Sequence, residues 1–227
     1  AYTTNGYALH SVDLQTGYSK LISDRTTPGN TFFFNLIYGI AVDADNHTAY
    51  VTDSRREALI SVDLDTGTRK IIAENDPDST TTVFDAPREV ALDLENNRAI
   101  VINNSVTAQK NLIEVNLSTG ETTALPEELL DPKAFEFTGP DTPFIVSDGG
   151  IDSLVRVDPA DGTTTLISEN VLSGSPHEPQ AMALDESSNA IYMPTAIAHF
   201  RDDGGWDWEY MISILDLTTN ERRVLSD

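Results

Sequence analysis

The sequence contains no cysteine. Disulfides, thiolate nucleophiles and cysteine-based zinc or iron–sulfur sites are therefore excluded. Cations are scarce: 14 Lys and Arg stand against 37 Asp and Glu, a formal net charge of −23. A chain of that sign lacks the clustered basic residues that displace counterions from DNA or RNA. It is equally unsuited to anionic membrane surfaces. No apolar run approaches the ~20 residues that span a bilayer. Helical periodicity and heptads are missing. So are a Gly-rich phosphate loop, a Gly-x-Ser-x-Gly elbow and a His-Glu-x-x-His pair. The sequence opens at Ala1 without a Met or a signal-like segment, which reads as a processed product or an excised piece.

What is present is enough to fold. The chain has 227 residues, 39% of them hydrophobic, so the high charge does not imply disorder. The acidity itself has two readings, a solubilising surface rich in Asp turns or a surface that attracts cations.

One phrase recurs five times: LHSVDLQTGYSKLISD from Leu9, LISVDLDTGTRKIIAEN from Leu59, LIEVNLSTGETTALPEE from Leu112, LVRVDPADGTTTLISEN from Leu154 and ISILDLTTNERRVLSD from Ile212. Its turn residue is Gly17, Gly67, Gly120, Gly162 and finally Asn220. Gly and Asn share a tolerance of positive φ, so this position is expected to be left-handed. Each phrase reads as a hairpin, with Ile60, Val62 and Leu64 on one side of its first strand. A second phrase precedes four of the hairpins: YGIAVDADNHTAYVTDS from Tyr38, REVALDLENNRAIVINNS from Arg88, KAFEFTGPDTPFIVSDGG from Lys133 and QAMALDESSNAIYMPTA from Gln180. Each is a short apolar strand, an Asp- and Asn-rich turn, and a second apolar strand. Four strands, A to D, in ~40–50 residues is the period of a β-propeller blade.

The expected fold is all-β: a β-propeller of four-stranded antiparallel blades in a single domain, residues 1–227. The blades fall at approximately 1–24, 35–76, 85–128, 131–170 and 178–227. The first is partial. Ala1-Tyr2-Thr3-Thr4 aligns with Ala49-Tyr50-Val51-Thr52, so four complete blades follow three strands of a fifth. A fragment of a six-bladed ring, a five-bladed variant, and closure by a second copy or a missing segment all fit, since an open blade edge invites association.

The units GIAVDADNHTAYVTDS…ISVDLDTGTRKII and VALDLENNRAIVINNS…IEVNLSTGETT resemble the six-bladed propellers of the NHL, YWTD and SMP-30/gluconolactonase group. The resemblance covers nearly the whole chain, but this fold hosts lactonases, phosphotriesterases, lyases, receptor modules and scaffolds. It implies that the Asp closing strand B is a structural inter-blade contact. Asp53 and Asp148 match that position, Asn103 loosely, and Pro194 does not. It also implies, for the enzymes of the group, a channel calcium held by Glu, Asn and Asp. The residues that open strand A here are Tyr38, Arg88, Lys133 and Gln180, with Glu89 the only adjacent carboxylate. Calcium needs six to eight oxygens, and two cations in that ring oppose it. No cofactor is expected; calcium belongs only to the hydrolase alternative.

Binding candidates lie in the D–A and B–C connections. Arg88 and Lys133 either pair with Glu89 and Asp131 or form an anion site. Phe32, Phe33 and Phe34 cannot all point inward from a strand; either they cap the core or at least one is exposed. The B–C segment of the last blade, Ala196 to Tyr210, holds both tryptophans, Trp206 and Trp208. It suits stacking on sugars or an interface anchor, or else it is an extended hairpin filling a gap. His177, beside Glu178, and His199 suggest an acid/base pair or two exposed loop histidines. The Asp43-Ala44-Asp45-Asn46 turn lacks the later Glu of a calcium loop and reads as Asx-turn chemistry.

The functional expectation is a secreted, periplasmic or cell-surface propeller that binds a protein or glycan. Its candidate ligand-binding residues are Tyr38, Arg88, Lys133, His177, Gln180, His199, Trp206 and Trp208, with no catalytic or metal residue assigned. One alternative is a metal-dependent lactonase or esterase resembling the SMP-30/gluconolactonase group. Another is a structural repeat of a larger secreted or surface protein. Nucleic-acid partners and membrane insertion are not expected.

Overall fold

The structure, a computed structural model, describes residues 1–227 except 77, 79–81, 104–110, 126–128, 130–131, 138–143, 149–152, 161, 170–174, 178–181, 186, 202–204 and 227. At 148, 169, 175–177, 195–200, 206, 208–209 and 226 it describes the backbone alone. Every regular element among these residues is a β-strand.

Two compact units divide the chain, Ala1–Ala124 and Leu125–Asp227. The first holds three antiparallel sheets. One has three strands, β1 (Tyr2–Thr4), β2 (Leu9–Val12) and β3 (Ser19–Ser23). The next runs β4 (Ile37–Asp43), β5 (Thr48–Asp53), β6 (Ala58–Asp63) and β7 (Arg69–Glu74). The third runs β8 (Pro87–Asp93), β9 (Arg98–Asn103), β10 (Leu112–Asn116) and β11 (Thr122–Ala124). In the second unit one sheet contains β12 (Pro132–Glu136), β13 (Phe144–Asp148), β14 (Ser153–Val157) and β15 (Thr164–Glu169). The last contains β16 (Ser175–His177), β17 (Ala183–Asp185), β18 (Ala190–Phe200), β19 (Trp206–Asp216) and β20 (Arg222–Ser226). The first four sheets are up-and-down meanders of consecutive strands, as a propeller blade is; in the last, β16 and β17 both pair with β18.

Blades pack through alternating faces. In the first unit Ile60 and Val62 of β6 join Leu9 and Phe34 in one buried cluster. Leu59, the neighbouring residue on the opposite face, joins Val90, Val101 and Ile113 in another. Ile60, Val62 and Leu64 share one side as expected, and the other face of β6 is covered too, so the strand is sandwiched between two blades. In the second unit Ile145 and Leu154 pack with Ile191, Met193 and Leu215. Phe135, Phe137 and Phe144 stack there at 5.5 to 6.2 Å between ring centres.

The turn chemistry repeats as the sequence predicts. Gly17, Gly67, Gly120, Gly162 and Asn220 all take positive φ, from 58° to 75°. In each copy the turn N–H returns to the carbonyl of the residue four earlier, at 2.8 Å. Asp13, Asp63, Asn116 and Asp216 accept the N–H groups of the turn residues two and three positions on at Oδ1. Asp43 closes the A–B turn in a similar way, accepting from Asn46 N at 3.0 Å and Asn46 Nδ2 at 2.8 Å, which is the Asx reading.

Candidate functional site

The D–A linkers are anchored by the residue that ends strand B. Asp53 accepts the N–H groups of Asn35 at 2.6 Å, Leu36 at 3.0 Å and Arg56 at 3.1 Å. Asn103 does the same work one blade on. It accepts from Asp85 N at 3.1 Å and donates to Val83 O at 2.8 Å. Both side chains are spent on backbone and are not available to a ligand. The side chain of residue 148 lies outside the described residues.

Strand A carries a bulge at three of the four candidate positions that open it. The register of β4 with β5 shifts between Ile37 and Ile40, that of β8 with β9 between Pro87 and Val90, and that of β12 with β13 between Pro132 and Ala134. Tyr38, Arg88 and Lys133 are residues inside those shifts. A bulge turns side chains out of the strand's alternation, and such irregularities concentrate at functional edges. At the first two bulges the blades touch through main chain. Thr52 Oγ1 accepts from Gly39 N and donates to Arg88 O. A Cβ on Gly39 would lie 2.3 Å from that same carbonyl, so only glycine fits.

Arg88 does not pair with Glu89. Its guanidinium lies over the Tyr38 ring, 5.3 Å from the centroid, and Tyr38 is 44% exposed. Burial pushes the Glu89 carboxyl above its ordinary value, against the opposing pull of Arg88. The pairing expected of Arg88 with Glu89 is thus replaced by a cation–aromatic contact. Asp131 lies outside the described residues. Lys133 is half-buried on β12, in the second unit.

The three phenylalanines divide their roles. Phe34 is buried, Phe32 half-buried and Phe33 62% exposed. Two arginines hold this linker. Arg69 lies 4.5 Å from the Phe34 centroid and 5.5 Å from that of Phe32, and donates Nη2 to Asp24 O at 2.9 Å. Arg56 lies 4.8 Å from the Phe32 centroid and donates Nη2 to Phe33 O at 3.3 Å. Sequence reasoning missed this arginine framework. Its signal was the Arg55-Arg56 pair in a B–C turn of a chain so poor in cations.

The last blade differs most from expectation. Residues 196–200 and 206–210 are strand: β18 and β19 pair continuously from Ala190↔Asp216 to Phe200↔Trp206, the pairing of an extended hairpin. The segment around 177 is not a loop either. Strand β16 pairs with the outer half of β18, His177 opposite Ala196. Strand alternation then separates the two histidines: position 177 shares a face with 196, and position 199 falls on the other. The side chains of His177 and His199 lie outside the described residues. Gln180 and Glu178 lie outside the described residues. Register places positions 200, 206, 208, 210 and 212 on one face, opposite the face that carries buried Met193, Met211 and Ser213. On it Tyr210 is 76% exposed and Ile212 is also exposed. Positions 206 and 208 thus share a strand face with Tyr210. Arg201 and Asp207 approach to 3.4 Å at the tip. Among the described residues no group of three or more His, Asp or Glu is placed to hold a metal.

No known family pattern and no curated protein sequence matches the chain. Solved structures do. The chain superposes on a structure from a nidogen/laminin complex with a TM-score of 0.67 at 11% identity, over 100% of this chain and 92% of that one. It superposes on TolB from Acinetobacter baumannii with a TM-score of 0.61 at 18% identity, covering 96% of this chain and 48% of that one. Kuenenia stuttgartiensis hydrazine synthase gives a TM-score of 0.68 at 13% identity, over 99% and 62%.

The chain is a β-propeller. At such identities the likeness speaks for fold alone. Among the described residues it has three four-stranded antiparallel blades, a three-stranded one at the N-terminal end, and a last sheet in which a fifth strand, β16, joins the blade. No described helix is long and apolar enough to cross a membrane.

Proposed function

We propose that this propeller is a non-catalytic binding module that recognises a protein through the outer part of its last blade. The observation that carries the reading is the β18–β19 hairpin. It runs past the blade core and sets Phe200, Trp206, Trp208, Tyr210 and Ile212 in register on one face, exposed where described. Large aromatics combine apolar area with few rotatable bonds, which makes them the preferred anchors of interfaces. A glycan stacking on the same rings is the second ligand class of this reading. One structural neighbour comes from a nidogen/laminin complex, and the same fold there sits in a protein assembly. A place outside the cytoplasm, secreted, periplasmic or at the cell surface, agrees with the strong negative charge, which suits an exposed or salty environment. Membership of the NHL, YWTD and SMP-30 group stands as part of this proposal, on the repeat phrases alone. So does the absence of a cofactor.

The two tryptophans are the only ones in the chain, so intrinsic fluorescence reports on this hairpin directly. Titration with soluble candidate proteins and with an oligosaccharide panel is expected to shift that emission for the true ligand class. Trp206→Ala/Trp208→Ala is expected to abolish binding while leaving the β-sheet circular dichroism intact. Full retention of binding by the double variant would sink the reading. Calcium is expected to leave the melting temperature unchanged. The lactonase reading predicts a rise instead, about 2.7 kcal/mol of stabilisation at ~100 times Kd.

A further inference from the structure

A second surface, in the first unit, has a different chemistry. The D–A linker before β4 carries Phe33, the B–C turn after β5 carries Arg55 and Arg56, and Arg88 follows on the neighbouring strand β8. They are joined through short bonded steps. Arg56 N is held by Asp53, Arg56 Nη2 reaches Phe33 O, and Thr52 Oγ1 holds Arg88 O. Phe33 and Tyr38 are exposed along the same stretch, Tyr38 under the Arg88 guanidinium. Among the described residues none of these three arginines is ion-paired with a carboxylate. Arg98 shows what this protein does with an arginine that only stabilises: it is clamped between Asp93 at 2.9 Å and Glu114 at 2.8 Å. Arg56 Nε is also buried without a hydrogen-bond partner.

Arg56 holds the linker, but Arg55 is exposed and Arg88 half-buried, and in a chain with 37 acidic residues neither is ion-paired with a described carboxylate. We propose that this edge docks an acidic polypeptide segment, with Asp or Glu side chains on Arg55 and Arg88 and an apolar residue against Phe33 and Tyr38. Arginine suits carboxylates because its planar fork donates two parallel hydrogen bonds. Arg55 lies in the B–C turn after β5, and Arg88, whose carbonyl is held by Thr52 of β5, on the neighbouring strand β8. The net charge of −23 does not forbid this. At ~0.15 M salt charges are screened beyond about 8 Å, so the local arginines dominate. This edge and the β18–β19 hairpin share no residue, and neither proposal depends on the other.

The test is calorimetric titration at ~0.15 M salt with three probes. These are a Phe-containing peptide rich in Asp and Glu, the same peptide with Asn and Gln in their place, and a sulfated heparin oligosaccharide. The acidic peptide is expected to bind and the neutral one not. Arg55→Gln and Arg88→Gln are each expected to weaken binding by about tenfold, the size of one charge-assisted hydrogen bond. Arg55 is exposed, so Arg55→Glu leaves the packing alone and decides the matter by itself if Arg88 variants are unstable. Trp206→Ala/Trp208→Ala is expected to keep this binding, which separates its failure from that of the hairpin reading. Equal binding of acidic and neutral peptides, unchanged affinity in the arginine variants, no binding by the wild type, or a preference for heparin would each overturn the proposal.

Discussion

Gly17 and Gly67 hold the same turn position and the same backbone, φ 70° and 73°, yet they answer to different constraints. A Cβ on Gly17 meets nothing within 4 Å. A Cβ on Gly67 would lie 2.2 Å from Ile22 O and 2.9 Å from Thr27 Cγ2. Gly67 O also receives Ser23 Oγ at 2.8 Å and Asn30 Nδ2 at 3.1 Å, so the first blade leans on this turn. Gly17→Ala is expected to cost about 1 kcal/mol, the penalty of a left-handed L-residue. Gly67→Ala is expected to cost about 3 kcal/mol or more, because main chain must also move. Gly17→Asn is expected to be nearly neutral, as Asn220 already fills that position in the last copy. Urea unfolding of the three variants checks the order; equal losses at 17 and 67 would contradict it. The left-handed turn was legible in the five copies, since Gly and Asn share one backbone property. The inter-blade clash at Gly67 was not, because nothing in the local sequence states what lies across the interface.

At the scale of elements, the linkers rather than the strands carry the distinctive polar contacts. Asp53 ties the end of β5 to the start of β4 and to the B–C turn through three backbone N–H groups. Asp53→Ala strands those donors and is expected to cost about 3 kcal/mol, by thermal unfolding. Asp53→Asn keeps one carbonyl acceptor and is expected to lose less than about 1.5 kcal/mol, because Asn103 performs this role with an amide. The opposite order would remove the clamp account. Strand number and hairpin pairing were readable from periodicity. The long β18–β19 hairpin was readable only as one of two options. Its Gly204-Gly205 pair and polar tip look like a loop, while pairing from Ala190 to Asp216 is a cooperative property of both strands. Likewise the bulges that hold Tyr38, Arg88 and Lys133 leave no mark in the local run of residues; at the first two, adjacent blades meet through main chain.

For the molecule as a whole, charge governs the response to solvent. With −23 formal charges, self-repulsion opposes the folded state at neutral pH. The screening length falls from about 30 Å in ~0.01 M salt to about 8 Å at ~0.15 M. The melting temperature is therefore expected to rise with salt over that range and then level off; a fall would show that local ion pairs outweigh repulsion. Acid acts through the turns. The carboxyls of Asp13, Asp63 and Asp216 are held below their ordinary value, first of all by the backbone N–H of Thr16, Thr66 and Thr218. A carboxyl depressed by folding stabilises fully above its unfolded pKa and loses that contribution as pH falls through the folded one. Stability is thus expected to fall as pH drops below about 4. Far-ultraviolet circular dichroism across an acid titration measures it, and Asp13→Asn is expected to flatten the acid limb without removing it.

The sequence by itself determined the repeat, the strand order of the first four blades, the left-handed turn positions and the sign of the surface. These depend on local backbone preference and on periodicity, and both are written into neighbouring residues. Tertiary structure alone decided that Arg88 lies on Tyr38 instead of pairing with Glu89. It alone placed His177 and His199 on opposite faces, sandwiched β6 between two blades, and left Arg55, Arg56 and Arg88 without carboxylate partners among the described residues. Those outcomes turn on which groups become neighbours across blade interfaces and on strand register, where one residue of shift reverses every face.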